Sequence, residues 1–185
     1  QVRRGLRQWG AADVRGIGHY PPRLLADGDS AWMCVGTGSD SVMHVTARGM
    51  HTPIVSSQPV VSIARDATWL YVLAGNAPNL RRVPRVDPQG RAIDPDRARD
   101  LAEGMVNVPG AVDLAAIDGD VYLATQEAVV YVRAGSAPRR LGALPGAASV
   151  MTVDAADVFV GTEDGAVVRV ARGGATATSA GPRRP

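Results

Sequence analysis

The sequence predicts an all-β fold assembled from four copies of one small antiparallel sheet. Three observations predict it. A strand cassette recurs as Met33-Cys34-Val35-Gly36-Thr37, Leu70-Tyr71-Val72-Leu73-Ala74, Val121-Tyr122-Leu123-Ala124-Thr125 and Val158-Phe159-Val160-Gly161-Thr162. The cassettes begin at 33, 70, 121 and 158, so they stand 37, 51 and 37 residues apart, a spacing that marks a repeat architecture. Tight polar turns, above all Asp164-Gly165, separate short runs rich in Val, which is the composition of hairpins.

Residues 1–23 form an Arg- and Gly-rich arm without a period. Copy one, 24–58, turns at Asp27-Gly28-Asp29 and returns along Ser41-Val42-Met43-His44-Val45. Copy two, 59–108, opens with Val60-Val61-Ser62-Ile63-Ala64 and continues through Leu80-Arg81-Arg82-Val83. Trp32 and Trp69 each precede a cassette and are read as equivalent; Asp120 and Asp157 hold that place in the later copies. Copy three, 109–144, runs from Pro109-Gly110 through the Asp118-Gly119-Asp120 turn to Ala128–Val132. Copy four, 145–172, repeats this plan through Asp154-Ala155-Ala156-Asp157 to Ala166–Val170. A type I′ turn is expected at Asp164-Gly165, since Asp and Gly tolerate the positive φ it needs. A weaker fourth strand is expected at 139–144 and at 52–56, and residues 173–185 form a small, polar tail.

The extra residues between the second and third cassettes, 87–100, are charged and proline-rich. Asp94 suits an N-cap, Pro95 the first helical position and Gly104 a left-handed C′ residue, which predicts one short helix from Asp96 to Glu103.

Composition narrows the chemistry. All 20 basic residues are arginine, so no lysine is present to form a Schiff base, anchor pyridoxal phosphate or serve a P-loop. A net charge of +2 gives no broad basic footprint, and nucleic acid is not the expected partner. Cys34 is the only cysteine, which excludes an intrachain disulfide and leans toward the cytoplasm while leaving the compartment open. No apolar run reaches membrane-spanning length, and no signal peptide is expected within the given residues. The first residue is Gln1 rather than Met, which predicts a processed or excised segment.

A three- or four-stranded meander is unstable alone, and radial stacking of such sheets is the solution a β-propeller uses. The stretches Ile63-Ala64, Asp66 and Trp69–Val72, Leu114 to Thr125, and Val158 to Gly165 resemble blades of bacterial TolB-like and NHL-like propellers. The resemblance covers about residues 24–172 and implies a propeller of four blades. Families of that kind carry six to eight, so the four form either a complete ring or part of one completed by another chain or by further sequence. An open solenoid or sandwich is the rival fold.

No catalytic set emerges. Asp27/Asp29 and Asp118/Asp120 offer too few oxygens for calcium and fit turns. His19, His44, His51 and Cys34 match no zinc spacing. No Gly-x-Ser-x-Gly occurs, and Gly36 to Ser41 lacks the helix a phosphate loop requires. No metal or cofactor is assigned. The expected function is a non-enzymatic scaffold or protein-interaction module, its partner a protein or a further copy that completes the ring. Candidate contacts are Arg91, Asp94, Asp96, Arg97, Arg99, Asp100 and Glu103 on the insertion, with Trp9 on the arm. The alternatives are a propeller-type hydrolase or lyase with an axial metal, and a weak arginine-mediated nucleic-acid binder.

Overall fold

A computed structural model describes residues 23–34, 41–56, 58–75, 79–174 and 178–180. Within them lie four antiparallel sheets of four strands each, every sheet a meander in chain order. Blade one comprises β1 (Arg23–Asp27), β2 (Ser30–Cys34), β3 (Ser41–Thr46) and β4 (Gly49–Val55); blade two comprises β5 (Val60–Arg65), β6 (Trp69–Ala74), β7 (Leu80–Pro84) and β8 (Glu103–Val106). Blade three holds β9 (Ala111–Ile117), β10 (Asp120–Thr125), β11 (Ala128–Val132) and β12 (Arg139–Ala143); blade four holds β13 (Ala148–Val153), β14 (Asp157–Thr162), β15 (Val167–Ala171) and β16 (Thr178–Ala180). One short helix, α1 (Pro95–Asp100), lies between β7 and β8. The chain is a four-bladed β-propeller, and β1, β5, β9 and β13 together line one cavity at its axis.

Local chemistry fixes the hairpins. Asp118 and Gly119 both take positive φ, at 52° and 83°, so the type I′ turn is found here. At Asp164-Gly165 the expectation is corrected. Only Gly165 is left-handed, and Gly165 donates back to the Thr162 carbonyl, so the loop is a type I turn closed by a left-handed glycine. Asp66 and Asp154 close their two-residue turns differently. Asp66 Oδ1 accepts from the amides of Thr68 and Trp69 at 2.8 and 2.7 Å, and Asp154 Oδ1 from those of Ala156 and Asp157 at 2.8 Å each.

These turns set the true frame of the repeat. The first hairpins close at Asp27 with Ser30, Asp66 with Trp69, Ile117 with Asp120 and Asp154 with Asp157. Ser30, Trp69, Asp120 and Asp157 are therefore equivalent, and copy one sits two residues from the register that cassette similarity suggests. Trp32 corresponds to Tyr71, Tyr122 and Phe159, not to Trp69. A slip of two preserves which side chains share a face, so alternation alone could not reveal it.

The strand boundaries also move. Arg23, read as the end of the arm, opens β1, and the fourth strands of blades two and four are Glu103–Val106 and Thr178–Ala180. The helix stops at Asp100. Gly104 is not its C′ residue but part of β8, pairing with Arg81. The 87–100 insertion lies inside blade two, between β7 and β8.

Three apolar clusters seal adjacent blades. Trp32, Cys34 and Val42 of blade one meet Ile63, Leu70 and Val83 of blade two. Tyr71, Leu73 and Leu80 meet Leu114, Val121 and Leu123 across blades two and three. Tyr122, Ala124 and Val129 meet Met151, Val158 and Val160 across blades three and four. Among the described residues no such cluster joins blade four to blade one.

Candidate functional site

Among the described residues, two depressions lie where blades meet. The first is the axial cavity, about 250 Å³ in volume. In the corrected frame Arg23, Ser62, Asp113 and Val150 occupy equivalent places on the four inner strands, each opposite Cys34, Leu73, Ala124 or Gly161. Asp113 is buried and binds every inner strand at once. Its Oδ1 accepts from Ser62 Oγ at 2.6 Å and from its neighbour Leu114 N at 2.9 Å. Its Oδ2 accepts from Met151 N at 2.6 Å and from the Arg23 guanidinium. Burial pushes the carboxyl above its ordinary value, opposed by the bond from Ser62, the charge of Arg23 and the two amides. Both oxygens are occupied, so this carboxylate pins the blades together; among the described residues no three His, Cys, Asp or Glu side chains gather into a metal-binding group.

The second depression is a groove of about 540 Å³ between blades one and two, roofed by the insertion. Its base is apolar, with Trp32, Leu70 and Val83. Along one side, Trp32 stacks on His44 with ring centroids 4.4 Å apart, and His44 Nε2 lies 2.9 Å from Ser30 Oγ. The two rings meet because Trp32 and His44 are directly opposite in the β2–β3 register. Trp32 Nε1 donates to Asp27 Oδ2 at 2.9 Å. The Arg85 guanidinium crosses from blade two to Asp27 Oδ1 and also donates to the carbonyls of Asp66 and Ala67. Burial raises the Asp27 carboxyl, but Trp32, Arg85 and Arg65 outweigh it and hold the group below its ordinary value. Arg85 Nε is buried and has no hydrogen-bond partner among the described residues.

The roof is anchored rather than solvated throughout. An isolated bridge joins Val86 to Ala92, Ile93 N donates to the Arg85 carbonyl at 2.9 Å, and Asp94 Oδ1 accepts from Arg97 N at 3.3 Å to cap α1. Ala98 is buried in the cluster that seals blades one and two, with Ile93 packed against it.

The insertion residues read as candidate contacts spread around this roof. Asp94 faces the groove. Arg91 is exposed and pairs with Asp87 at 2.7 Å, and Arg99 meets its neighbour Asp100 at 3.3 Å. Arg97 is exposed on α1, and Asp96 lies in the helix. Glu103 is outside the helix and accepts two bonds from Arg82, at 2.8 and 2.5 Å, while Arg82 covers the Trp69 ring at 4.1 Å. Trp9, His19 and Gly36 to Asp40 lie outside the described residues. Sequence reasoning missed the grouping of Asp27, Trp32, His44 and Arg85. It also missed Asp113, whose signal was one carboxylate inside the apolar run Ala111–Ile117.

No protein-family model and no curated protein sequence matches the chain. Solved structures do. A chain of a nidogen–laminin complex matches with a TM-score of 0.62 at 11% identity, over 83% of this chain and 61% of that one. A gluconolactonase from Xanthomonas campestris matches at 0.60 and 15% identity, over 84% and 60%. YCF48 bound to D1 peptide matches at 0.55 and 10% identity, over 86% and 54%. The likeness is one of fold. The chain spans about three fifths or less of each of these propeller-containing chains.

Proposed function

We propose that the chain is a protein-interaction module that takes an extended segment of a partner protein into the groove between blades one and two. The observation that carries this reading is the groove itself. An apolar base, the Trp32–His44 stack and a roof held by Ala98 and Ile93 create a concave site that offers both aromatic surface and hydrogen-bonding edges. The insertion candidates Arg91, Asp94, Asp96, Arg97, Arg99, Asp100 and Glu103 would then supply the polar rim. Solved structures of complexes with protein or peptide, the nidogen–laminin chain and YCF48 with D1 peptide, support the reading by analogy of fold alone.

Panning a random peptide library on the intact chain tests it. Recovered peptides should lose at least about tenfold in affinity for His44→Ala and for Asp94→Ala chains, as removal of a single contact of about 1.4 kcal/mol would produce. Failure to recover binders, or equal binding to both variants, refutes the assignment. The axial-hydrolase alternative finds no comparable support, because the one axial carboxylate among the described residues already has its oxygens engaged.

A further inference from the structure

Among the described residues, the end blades keep the side chains of a blade-to-blade seam without having a blade to meet. At each sealed seam the preceding blade contributes one aromatic from the same strand position, Trp32, Tyr71 and then Tyr122, exposed by 5%, 1% and 1%. The fourth member of that series is Phe159, on the face of blade four that points away from blade three, and it is only half-buried. The following blade contributes a set that includes Ile63 and Leu70, then Leu114 and Val121, then Met151 and Val158. Blade one carries Leu24 and Ala31 at those positions, continued by Met33, Met43 and Val45 in the cross-strand rows. Leu24 is 68% exposed. Of the five exposed large hydrophobics among the described residues, Leu24 and Met50 lie on the outer face of blade one, and Val150 and Val167 on that of blade four.

We infer that these two faces belong together and that a second copy of this chain supplies them. The blade-four face is of the kind that presents an aromatic, the blade-one face of the kind that receives it, so the contact is head to tail and not self to self. Two copies joined twice in this way close into an eight-bladed ring. Four strands about 4.8 Å apart and five residues of about 3.3 Å give each face roughly 300 Å². Four such faces bury about 1,300 Å², above the roughly 1,000 Å² that a specific interface requires. Arg169 on the blade-four face does not oppose the contact, because Arg82 holds the equivalent place at the sealed seam of blades two and three.

The repeat also names the touching pair. Val42 with Ile63, Leu80 with Leu114 and Val129 with Met151 share a cluster at the three sealed seams, and their counterparts at the open seam are Val167 and Leu24. Light scattering of the full chain over a concentration series should give about twice 19.3 kDa. Leu24→Asp alone and Val167→Arg alone should each fall to the single-chain mass, and an equimolar mixture of the two should regain the double mass. A wild-type chain that stays single at every concentration overturns the inference, and that measurement decides the matter even if a variant fails to fold. Single variants that remain double, or a wild-type ladder of rising masses, overturn it as well. This inference is independent of the groove, and its outcome leaves the peptide-binding test untouched.

Discussion

Replacing Asp113 by Ala tests how the blades are held at their axis. The substitution strips the acceptor from Ser62 Oγ–H and Met151 N–H, the two buried donors that meet it most closely, at 2.6 Å. Each unsatisfied donor costs about 1–3 kcal/mol, so the variant should lose about 2–6 kcal/mol. The loss is deepened by the Arg23 guanidinium, which at 22% exposure is left mostly buried without its carboxylate. Against a total of about 5–15 kcal/mol for a domain, the loss is large. Urea unfolding followed by tryptophan fluorescence measures it. The double variant with Ser62→Ala should show a coupling of about 1–3 kcal/mol, because the two groups share one bond. The pH dependence gives a second reading. Burial sets the Asp113 pKa above that of the unfolded chain, so the folded chain binds the extra proton in the window just above the ordinary carboxylate range. Stability from this group is highest on the acid side and declines as pH rises through that window. Asp113→Asn should remove that decline. An Asp113→Ala chain that loses less than about 1 kcal/mol, or an Asn variant with an unchanged pH profile, would show that Asp113 is not the pin described.

Other substitutions probe the remaining parts. Ala98→Leu forces extra methylenes between α1 and the first two blades and should cost about 1–3 kcal/mol, read by thermal unfolding. Gly119→Ala must hold a side chain at φ 83° and should cost about 1 kcal/mol or more in the same assay. Asp27 has the opposite linkage to Asp113. Its lowered pKa makes its contribution present above the ordinary carboxylate range and lost as pH falls through the lowered value, so Asp27→Asn should flatten the acid limb of the stability profile. Trp32→Ala opens the seam of blades one and two and should cost about 3–5 kcal/mol, seen as a lower urea midpoint.

How much of this could be read in the chain depends on distance. Turn residues such as Asp118-Gly119 and the N-cap Asp94 act on their own backbone, and their places were legible. The blades were legible because Val, Leu and Tyr recur at strand spacing. The frame of copy one was not, since Met33-Cys34-Val35-Gly36-Thr37 imitates Val158-Phe159-Val160-Gly161-Thr162 while the hairpin is set by Asp27 and Ser30. Gly104 reads locally as a helix stop, but pairing of Glu103 with Arg82 in β8 overrides that preference. The groove was least legible, because Asp27 and Arg85 lie on different blades and meet only after those blades have packed. The same holds for Arg23, Ser62 and Asp113, which no local pattern links.

The backward reach of Arg85 and Arg172 bears on the order in which the protein can take shape. Arg85 grips blade one from blade two, and Arg172 reaches back from blade four to Tyr122 and Asp120 of blade three at 2.8 and 3.1 Å. Each grip therefore needs the earlier sheet to exist first. A chain emerging from its amino end meets its clamps in the order it needs them. In the single chain, before any second copy covers the outer faces, amide exchange should accordingly be slowest in the two middle sheets, which have a sealed neighbour on either side, and should quicken toward both ends.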